Sequence, residues 1–382
     1  MKSGTPRVLR TLNEGAVIDA LFEHGAMTRP EIEAHTGLSK PAAARLLLRV
    51  EAAGVIERAG ERPSRSGPPA AVWRVNPRAA LVAGVTVRAG LLTAEVCDLQ
   101  GETIGVAESD RTVADAAAAV DAVHDVVARA VGDIAQLDEV RDIAIGLPGT
   151  IDPDTGILRY ARSLDPWVGI DLIGLVGDRF AGATVQTAND VALTLTAETA
   201  YGSAQQSSSV ALLWVGSGTR VAYARDGVLM LGPHGAAGEI GTIVAPAFGG
   251  EADRSTPRGR AVPGGGMLVE QLLGPASIDA IGDDSAETAA RIAAVLSSVI
   301  ALLDPELVVL AGSVADAGGA TLASAVEDAL AYLPHERPHV VCAELGARAQ
   351  VRGAVHLAQL SARARLVDAG SMADVVLPDP AR

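Results

Sequence analysis

The chain changes character at Asn76 and Pro77, and this break constrains the fold more than any other feature. Before it, apolar residues recur at intervals of three and four, which is typical of amphipathic helices. After it, short apolar strands alternate with alanine-rich segments, which is the pattern of an α/β domain. We therefore expect a small N-terminal module over residues 1–78, an α/β body over 79–365 and a tail over 366–382.

The charge divides at the same point. Residues 1–78 carry 12 Lys and Arg against 8 Asp and Glu, a net charge of +4, whereas the remainder carries 19 basic and 38 acidic residues, a net charge of −19. A positive module on an acidic body suits a protein that binds a polyanion, because attraction to phosphates dominates affinity for nucleic acids. Ordinary variation of surface charge would give the same division, so the charge alone assigns no function.

Three helices are predicted in the N-terminal module. The first spans residues 13–25, where Val17 and Leu21 lie about one helical turn apart. The second follows Thr28, a residue that favours the start of a helix, and ends at residues 36–37. The third follows Ser39 and ends at Gly54, with an apolar stripe that comprises Ala43, Leu46, Leu47 and Val50. Three helices joined in this way predict a helix-turn-helix.

A basic hairpin follows the third helix. Residues 55–58 and 72–75 read as strands, and residues 60–69 between them are rich in Gly, Pro and Arg. The module is therefore predicted to be a winged helix-turn-helix, which places its third helix in the major groove of DNA. The predicted base contacts are Ser39, Lys40, Ala42, Ala43 and Arg45, and the predicted contacts to phosphates or the minor groove are Arg58, Arg62 and Arg65. A protein-interaction module is the alternative, since small three-helix bundles also serve that role.

The composition excludes several other classes of protein. A chain of 382 residues, 49% of them hydrophobic, can bury a core without metal or disulfide support. The two cysteines, Cys97 and Cys342, lie singly in apolar surroundings, which excludes a disulfide framework and a Cys-rich zinc site. No uncharged apolar stretch reaches the roughly 18 residues of a membrane span, and the first nine residues do not resemble a signal peptide. We expect a cytoplasmic protein with no membrane partner.

The body contains a weak internal repeat. Residues 81–101 read as a strand, a glycine turn, a second strand and an Asp-to-Gly turn, and residues 210–227 repeat this order about 130 residues later. The repeat predicts two half-domains of related fold that face a cleft, where a small ligand would bind as the lobes close.

Several short motifs of the body, taken together, resemble the ROK family of repressors and sugar kinases. In chain order they are Gly146-Leu147-Pro148-Gly149-Thr150-Ile151-Asp152, Asn189-Asp190, Gly238-Glu239-Ile240-Gly241, Asp304-Pro305-Glu306 with the strand that follows it, and Arg352-Gly353-Ala354. The resemblance covers roughly residues 13–360. It implies an actin-like ATPase fold, an α/β architecture with two lobes around a sugar cleft. Members of the family with an N-terminal winged helix are repressors that bind operator DNA as homo-oligomers and respond to a sugar or its derivative.

The residues that a ROK kinase uses for its nucleotide are altered here. The family's kinases carry Asp-x-Gly-Gly-Thr on the first hairpin, whereas this chain has Thr86 in place of the Asp and Arg88 where a glycine would admit a phosphate. In the second phosphate hairpin Arg220 replaces a small residue, although an Arg could itself bind phosphate. Because phosphoryl transfer depends on positioning and electrostatics, we expect no enzyme activity and no cofactor.

The resemblance also places a sugar site on the chain. Asp190 matches the family's general base, and without a nucleotide it would accept hydrogen bonds from sugar hydroxyls, together with Asn189 and Glu239. Ser163 stands where the family has an Asn. Asn189 and Asp190 could instead only cap the helix that follows them, and this alternative remains open.

The family's structural zinc site is absent from the sequence. In the family this position is a His that both contacts the sugar and binds the zinc, and here it is Thr242, which with Ser163 completes the set of predicted ligand-binding residues. Residues 245–266 contain no Cys, so we expect no metal. His234 lies nearby, but one histidine cannot hold a structural zinc.

The sequence therefore predicts a DNA-binding transcriptional regulator, a repressor, whose non-catalytic body senses a sugar or related molecule. Its expected partners are double-stranded operator DNA, a sugar effector and further copies of itself in a homodimer or homotetramer. Two alternatives remain: a ROK sugar kinase with an attached DNA-binding head, and a ligand-independent dimeric regulator.

Overall fold

The structure is a computed structural model that describes residues 6–63, 68–245, 267–282, 284–334 and 336–370. Its N-terminal head has three helices and a three-stranded sheet in the order β1-β3-β2. The elements of the head are α1 (Pro6–His24), β1 (Met27–Thr28), α2 (Arg29–Thr36), α3 (Lys40–Ala52), β2 (Ile56–Arg62) and β3 (Ala70–Val75).

The first lobe of the body is built on a five-stranded sheet in the order β10-β7-β4-β5-β6. Strands β4, β7 and β10 are parallel, and β5 and β6 extend the sheet as antiparallel neighbours. The elements are β4 (Leu81–Arg88), β5 (Leu91–Asp98), β6 (Thr103–Ser109), α4 (Ala116–Val131), β7 (Val140–Leu147), β8 (Thr150–Ile151), β9 (Leu158–Tyr160), α5 (Leu172–Arg179) and β10 (Thr184–Asn189).

Helix α6 (Asp190–Tyr201) leads into the second lobe, whose five-stranded sheet has the order β13-β12-β11-β16-β17. A last long helix, α11 (Ala349–Gly370), returns to the first lobe. The remaining elements are β11 (Ser209–Val215), β12 (Thr219–Arg225), β13 (Val228–Leu229), β14 (Val244–Ala245), β15 (Met267–Leu268), α7 (Val269–Leu273), α8 (Pro275–Ile281), α9 (Ser285–Leu303), β16 (Leu307–Ala311), α10 (Ser313–Ala329) and β17 (His339–Cys342).

The two lobes have the same sheet topology. In each, a first strand pairs with an antiparallel hairpin partner, a third strand extends that edge, and two later strands add in parallel on the other side. This confirms the two half-domains that the weak repeat predicted. The α/β fold with a winged head and two lobes is as expected.

Helix α11 joins the head to the body. Its apolar residues Ala354, Val355, Ala358, Ala362 and Leu366 belong to one buried cluster with Val17, Ile18 and Leu21 of α1 and with Val82 and Ala144 of the first lobe. Because this core is continuous, the head packs against the body. Leu366 was predicted to begin a C-terminal tail, but it is a buried residue of α11.

Helix α9 is long and apolar enough to cross a membrane, with a mean hydropathy of 1.6. Eight of its residues are buried, and those that are hydrophobic pack in the core of the second lobe. The helix is therefore accounted for as a core helix of this lobe.

Most element boundaries in the head agree with the predictions to within two residues. Helix α1 is the exception, since it begins at Pro6 rather than at residue 13, and proline is compatible with the first turn of a helix. Strand β2 also continues to Arg62 and takes up part of the predicted loop, because β3 pairs with it across a bulge between Arg58 and Gly60.

Candidate functional site

The guanidinium of Arg220 lies between the two lobes. Arg220 is on β12 and is only 8% exposed. Its Nη1 binds the Glu239 carboxylate and the carbonyl oxygen of Gly149 at 3.3 Å, and its Nη2 donates to the carbonyl oxygens of Gly235 and Ala237 at 3.3 and 3.2 Å. Gly149 belongs to the first lobe, so this side chain connects the lobes and is held within the protein.

Glu239 faces the same point from the second lobe. A side chain at Gly238, just before it, is impossible, because a Cβ there would lie 1.8 Å from the carbonyl oxygen of Val221 and its φ is +83°. The Glu239 carboxylate accepts a hydrogen bond from the Thr150 hydroxyl of the first lobe at 3.1 Å, in addition to the ion pair with Arg220. The carboxylate expected to bind sugar hydroxyls is therefore engaged by the chain's own residues.

Asn189 caps α6, as the alternative interpretation of Asn189 and Asp190 predicts. Its Oδ1 accepts from the amides of Val191 and Ala192 at 2.9 and 3.1 Å, and its Nδ2 donates to the carbonyl oxygen of Gly149 at 2.9 Å. Both ends of the buried amide are thus used within the protein. Asn189 fixes the loop at Gly149 to the start of α6, and so positions Asp190 near Arg220 and Glu239.

Asp190 begins α6 and is the group of this site with the most altered acidity. Burial raises its pKa to about 6, against the opposing effects of the Arg220 charge and of the hydrogen bond from the Val191 amide. Its Oδ2 lies 3.5 Å from Nε2 of Gln350, the second residue of α11. Asp190 therefore links the site to the helix that carries the head.

Of the other predicted ligand residues, one contacts this site. Thr242 is exposed, and its hydroxyl donates to the backbone carbonyl of Glu239 at 3.2 Å. Ser163 is exposed on the segment after β9, and no hydrogen bond among the described residues connects it to Arg220, Glu239 or Asp190. The segment 249–266, which replaces the family's zinc loop, lies outside the described residues.

The first hairpin shows where the altered nucleotide residues lie. Thr86 is 4% exposed within β4, and Arg88 ends that strand on the surface. The position of the missing carboxylate is therefore occupied by a buried hydroxyl.

The third helix of the head presents a mixed surface. Ser39, Lys40 and Arg45 are exposed and Ala42 is half-buried, as a helix that contacts DNA requires. Ala43, however, is 0% exposed, so its prediction as a base contact is wrong. It lies one turn before Leu46 and Leu47, on the face of α3 that packs into the core of the head. Because of the helical period, a residue on this buried face cannot also lie on the opposite, exposed face.

The wing arginines are exposed and held by acidic neighbours. Arg58 pairs with Glu51 at 3.0 Å and lies over the Trp73 ring at 5.8 Å. Arg62 pairs with Glu31 at 2.7 Å and donates to the carbonyl oxygen of Ala26 at 3.1 Å. These contacts orient the two side chains on one rim of the head, whereas Arg65 lies outside the described residues.

Arg363 holds the head at the far end of α11. It donates to Asp19 of α1 at 2.7 Å and to Glu23 at 3.2 Å. Thirteen residues separate Gln350 from Arg363, about 20 Å along the helix axis. One helix therefore contacts both Asp190 and the N-terminal head.

Sequence reasoning missed the roles of Arg220, Gln350 and Arg363. Arg220 was singled out as an unusual residue of a phosphate hairpin, but nothing in the sequence indicated that it pairs with Glu239. Gln350 and Arg363 belong to a helix whose two ends are brought to the site and to the head by tertiary packing alone.

Comparisons with known proteins match this architecture. The model of the ROK family matches residues 82–259 and 280–361. The DNA-binding transcriptional dual regulator NagC of Escherichia coli K12 is 23% identical over 250 residues, which cover 64% of this chain and 60% of NagC. A glucokinase of Thermotoga maritima is 25% identical over 118 residues, 31% of this chain and 37% of the enzyme. The chain therefore spans less than two thirds of the length of these relatives.

Two solved structures of similar fold differ in how much of this chain they cover. A ROK family transcriptional regulator, described as a homologue of the E. coli MLC protein, superposes with a TM-score of 0.76 at 19% identity and covers 95% of this chain and 99% of its own. A ROK glucokinase of Streptomyces griseus, solved with glucose and AMPPNP, has a TM-score of 0.57 at 22% identity and covers 74% of this chain and all of its own. At these identities the likeness establishes the fold.

Proposed function

The chain belongs to the ROK family, and on that basis we propose that it is a sugar-responsive, DNA-binding transcriptional regulator that acts as a repressor. The observation that carries the proposal is the double contact of α11, which meets Asp190 through Gln350 and holds the head through Arg363. A protein that only phosphorylated a sugar would have no need to couple its ligand site to a basic head.

Binding of a ligand would act through this helix. A sugar hydroxyl that donates to Asp190 competes with Gln350 for the carboxylate and favours a different position of α11 relative to α6. Because Arg363 and the shared apolar core fix α1 to α11, the head moves with it. In a dimer this changes the spacing of two DNA-binding heads, which must match the two half-sites of an operator. A differential preference of about 3 kcal/mol between the two arrangements would change operator occupancy about a hundredfold.

The proposed partners follow from this mechanism. They are double-stranded operator DNA, a sugar or sugar derivative, and a second copy or further copies of the chain in a dimer or tetramer, all in the cytoplasm. On the head, Ser39, Lys40, Ala42 and Arg45 would contact bases. The wing residues Arg58, Arg62 and Arg65 would contact phosphates or the minor groove. In the body, Asp190 and Glu239 would contact the ligand, with Asn189 in a supporting position and Ser163 and Thr242 at its edge.

Selection from a random duplex library tests the DNA-binding part. We expect the full-length protein to enrich one motif with two related half-sites, and Arg45→Ala to weaken binding to that motif at least about tenfold. Arg88→Ala removes an exposed Arg of the body and is the matched control, which should leave affinity unchanged. Failure to enrich any motif at low salt would overturn the proposal.

Release of the selected duplex by a panel of sugars and sugar phosphates tests the sensing part. We expect one member of the panel to release the wild-type protein, and Asp190→Ala to need at least about tenfold more of it. A body that responds to no member, with DNA binding intact, would instead support the ligand-independent regulator. Turnover of ATP with any hexose in a coupled assay would support the kinase alternative.

A further inference from the structure

Two histidines meet where the first two helices of the head end. His24 is the last residue of α1, and His35 lies one residue before the end of α2. Their Nε2 atoms are 3.3 Å apart, and the rings meet edge to face with centroids 4.4 Å apart. Both side chains are exposed, so the pair is open to solvent.

Glu23 adds a carboxylate to this pair. One potential ligand atom from each of Glu23, His24 and His35 lies within 4.8 Å of the other two. Within the part of the chain that the structure describes, this is the one group of three His, Cys, Asp or Glu residues that meets so closely. The three residues come from two helices, so the group is created by the packing of α1 against α2.

The spacing fits a metal centre. Two Zn–N bonds of about 2.1 Å at a tetrahedral angle separate the nitrogens by roughly 3.4 Å, close to the separation of the two Nε2 atoms. Imidazole nitrogens with a carboxylate oxygen suit Zn²⁺ and its first-row neighbours. Both histidines lie in the last turn of their helices, where the partial negative charge of a helix C-terminus stabilises a cation.

We propose that Glu23, His24 and His35 bind a divalent transition-metal ion of the Zn²⁺ class, with water at the open position of an exposed site. The ion ties the C-terminal end of α1 to that of α2. It also competes with Arg363 for Glu23, which lies 3.2 Å from the guanidinium, so that metal binding weakens one of the two ion pairs between Arg363 and α1. The site is separate from the sugar site, and binding of the ion does not require the proposed function, although it would act on a contact which that function uses.

Titration of the full-length protein with Zn²⁺ against a chelating dye tests the proposal, with Co²⁺ absorption as the report of ligand geometry. We expect about one equivalent to bind per chain, with a tetrahedral or five-coordinate Co²⁺ spectrum. His24→Gln and His35→Gln should each weaken the affinity at least about tenfold. The matched control is His234→Gln, since His234 is an exposed histidine of the body.

The alternative is that the two rings only share a hydrogen bond, one Nε2 donating to the other. In that case no saturable Zn²⁺ binding occurs, or all three histidine variants bind the ion as the parent does, and either result overturns the proposal. Far-UV circular dichroism shows that each variant is folded. Glu23→Gln removes the carboxylate without altering the histidines and should weaken binding if the ion is held by all three residues.

Discussion

The guanidinium of Arg220 neutralises the carboxylate of Glu239, and it does so at the point where the two lobes meet. The same guanidinium donates to carbonyl oxygens of both lobes, and Thr150 of the first lobe donates to Glu239. In a family whose kinases have a small residue at this position, an arginine has become the partner of a carboxylate that the resemblance assigns to the sugar. A ligand that binds Glu239 must therefore displace Arg220 or be accommodated beside it.

Arg220→Ala should destabilise the protein by about 2 kcal/mol, because it removes the ion pair with Glu239 and a hydrogen bond to each of three backbone carbonyls. The measurement is the urea dependence of unfolding. Arg159→Ala is the control, since Arg159 and Asp152 form an ion pair at the surface whose loss should destabilise the protein much less. Equal losses in the two variants would show that the Arg220 contacts contribute little.

Asp190→Asn should change how stability depends on pH. Burial raises the pKa of Asp190 from its ordinary value of 3.8 to about 6, so between these values the folded chain binds more protons than the unfolded chain. The contribution of Asp190 to the free energy of unfolding therefore decreases by at most about 3 kcal/mol as the pH rises from 4 to 6. Above that range this contribution is constant. The variant lacks this decrease, and the comparison of unfolding curves at pH 4, 5, 6 and 7 measures it.

Asp152→Asn is the matched control for that experiment. The hydrogen bond from Arg159 lowers the pKa of Asp152 to about 2, so any stability from this group is lost only as the pH falls below 4. Its substitution should leave the slope between pH 4 and 6 unchanged. An Asp190→Asn profile parallel to the parent's would contradict the assigned acidity of Asp190.

Gly353→Ala should destabilise the body by more than about 2 kcal/mol. A Cβ at Gly353 of α11 would lie 1.9 Å from the backbone carbonyl oxygen of Leu193 in α6, and backbone cannot move aside as a side chain can. Gly218→Ala is the control because no atom lies within 4 Å of the corresponding Cβ. Thermal unfolding of both variants decides the matter: a Gly353→Ala midpoint equal to that of Gly218→Ala would show that α6 and α11 do not pack so closely.

Arg363→Ala should increase amide hydrogen exchange in α1 and leave the central strands of the first lobe protected. Arg363 contributes two half-exposed ion pairs to α1, and the loss should be about 1 kcal/mol. Mass spectrometry of exchanged peptides separates α1 from β4 and β7. Protection of α1 that does not change would mean that the apolar core alone holds the head, and that Arg363 plays no part in the coupling.

Much of the fold was readable from local patterns. Helices two and three, both hairpin openings and the equivalence of the lobes follow from apolar periodicity, glycine positions and an approximate repeat, all of which concern residues close in sequence. The same reasoning found Asn189, Asp190 and Glu239. It assigned Ala43 both to the apolar stripe of α3 and to the predicted base contacts, although one residue cannot serve both.

The sequence by itself determined that a basic three-helix head precedes an acidic, two-lobed α/β body of this family, because periodicity and charge are properties of short segments. Only the tertiary structure decided that Arg220 fills the position beside Glu239, that one helix carries both Gln350 and Arg363, and that Glu23, His24 and His35 meet. The contacts concerned join residues from 11 positions apart, as in His24 and His35, to 344 apart, as in Asp19 and Arg363. Burial of a shared core, rather than any local preference, brings such residues together.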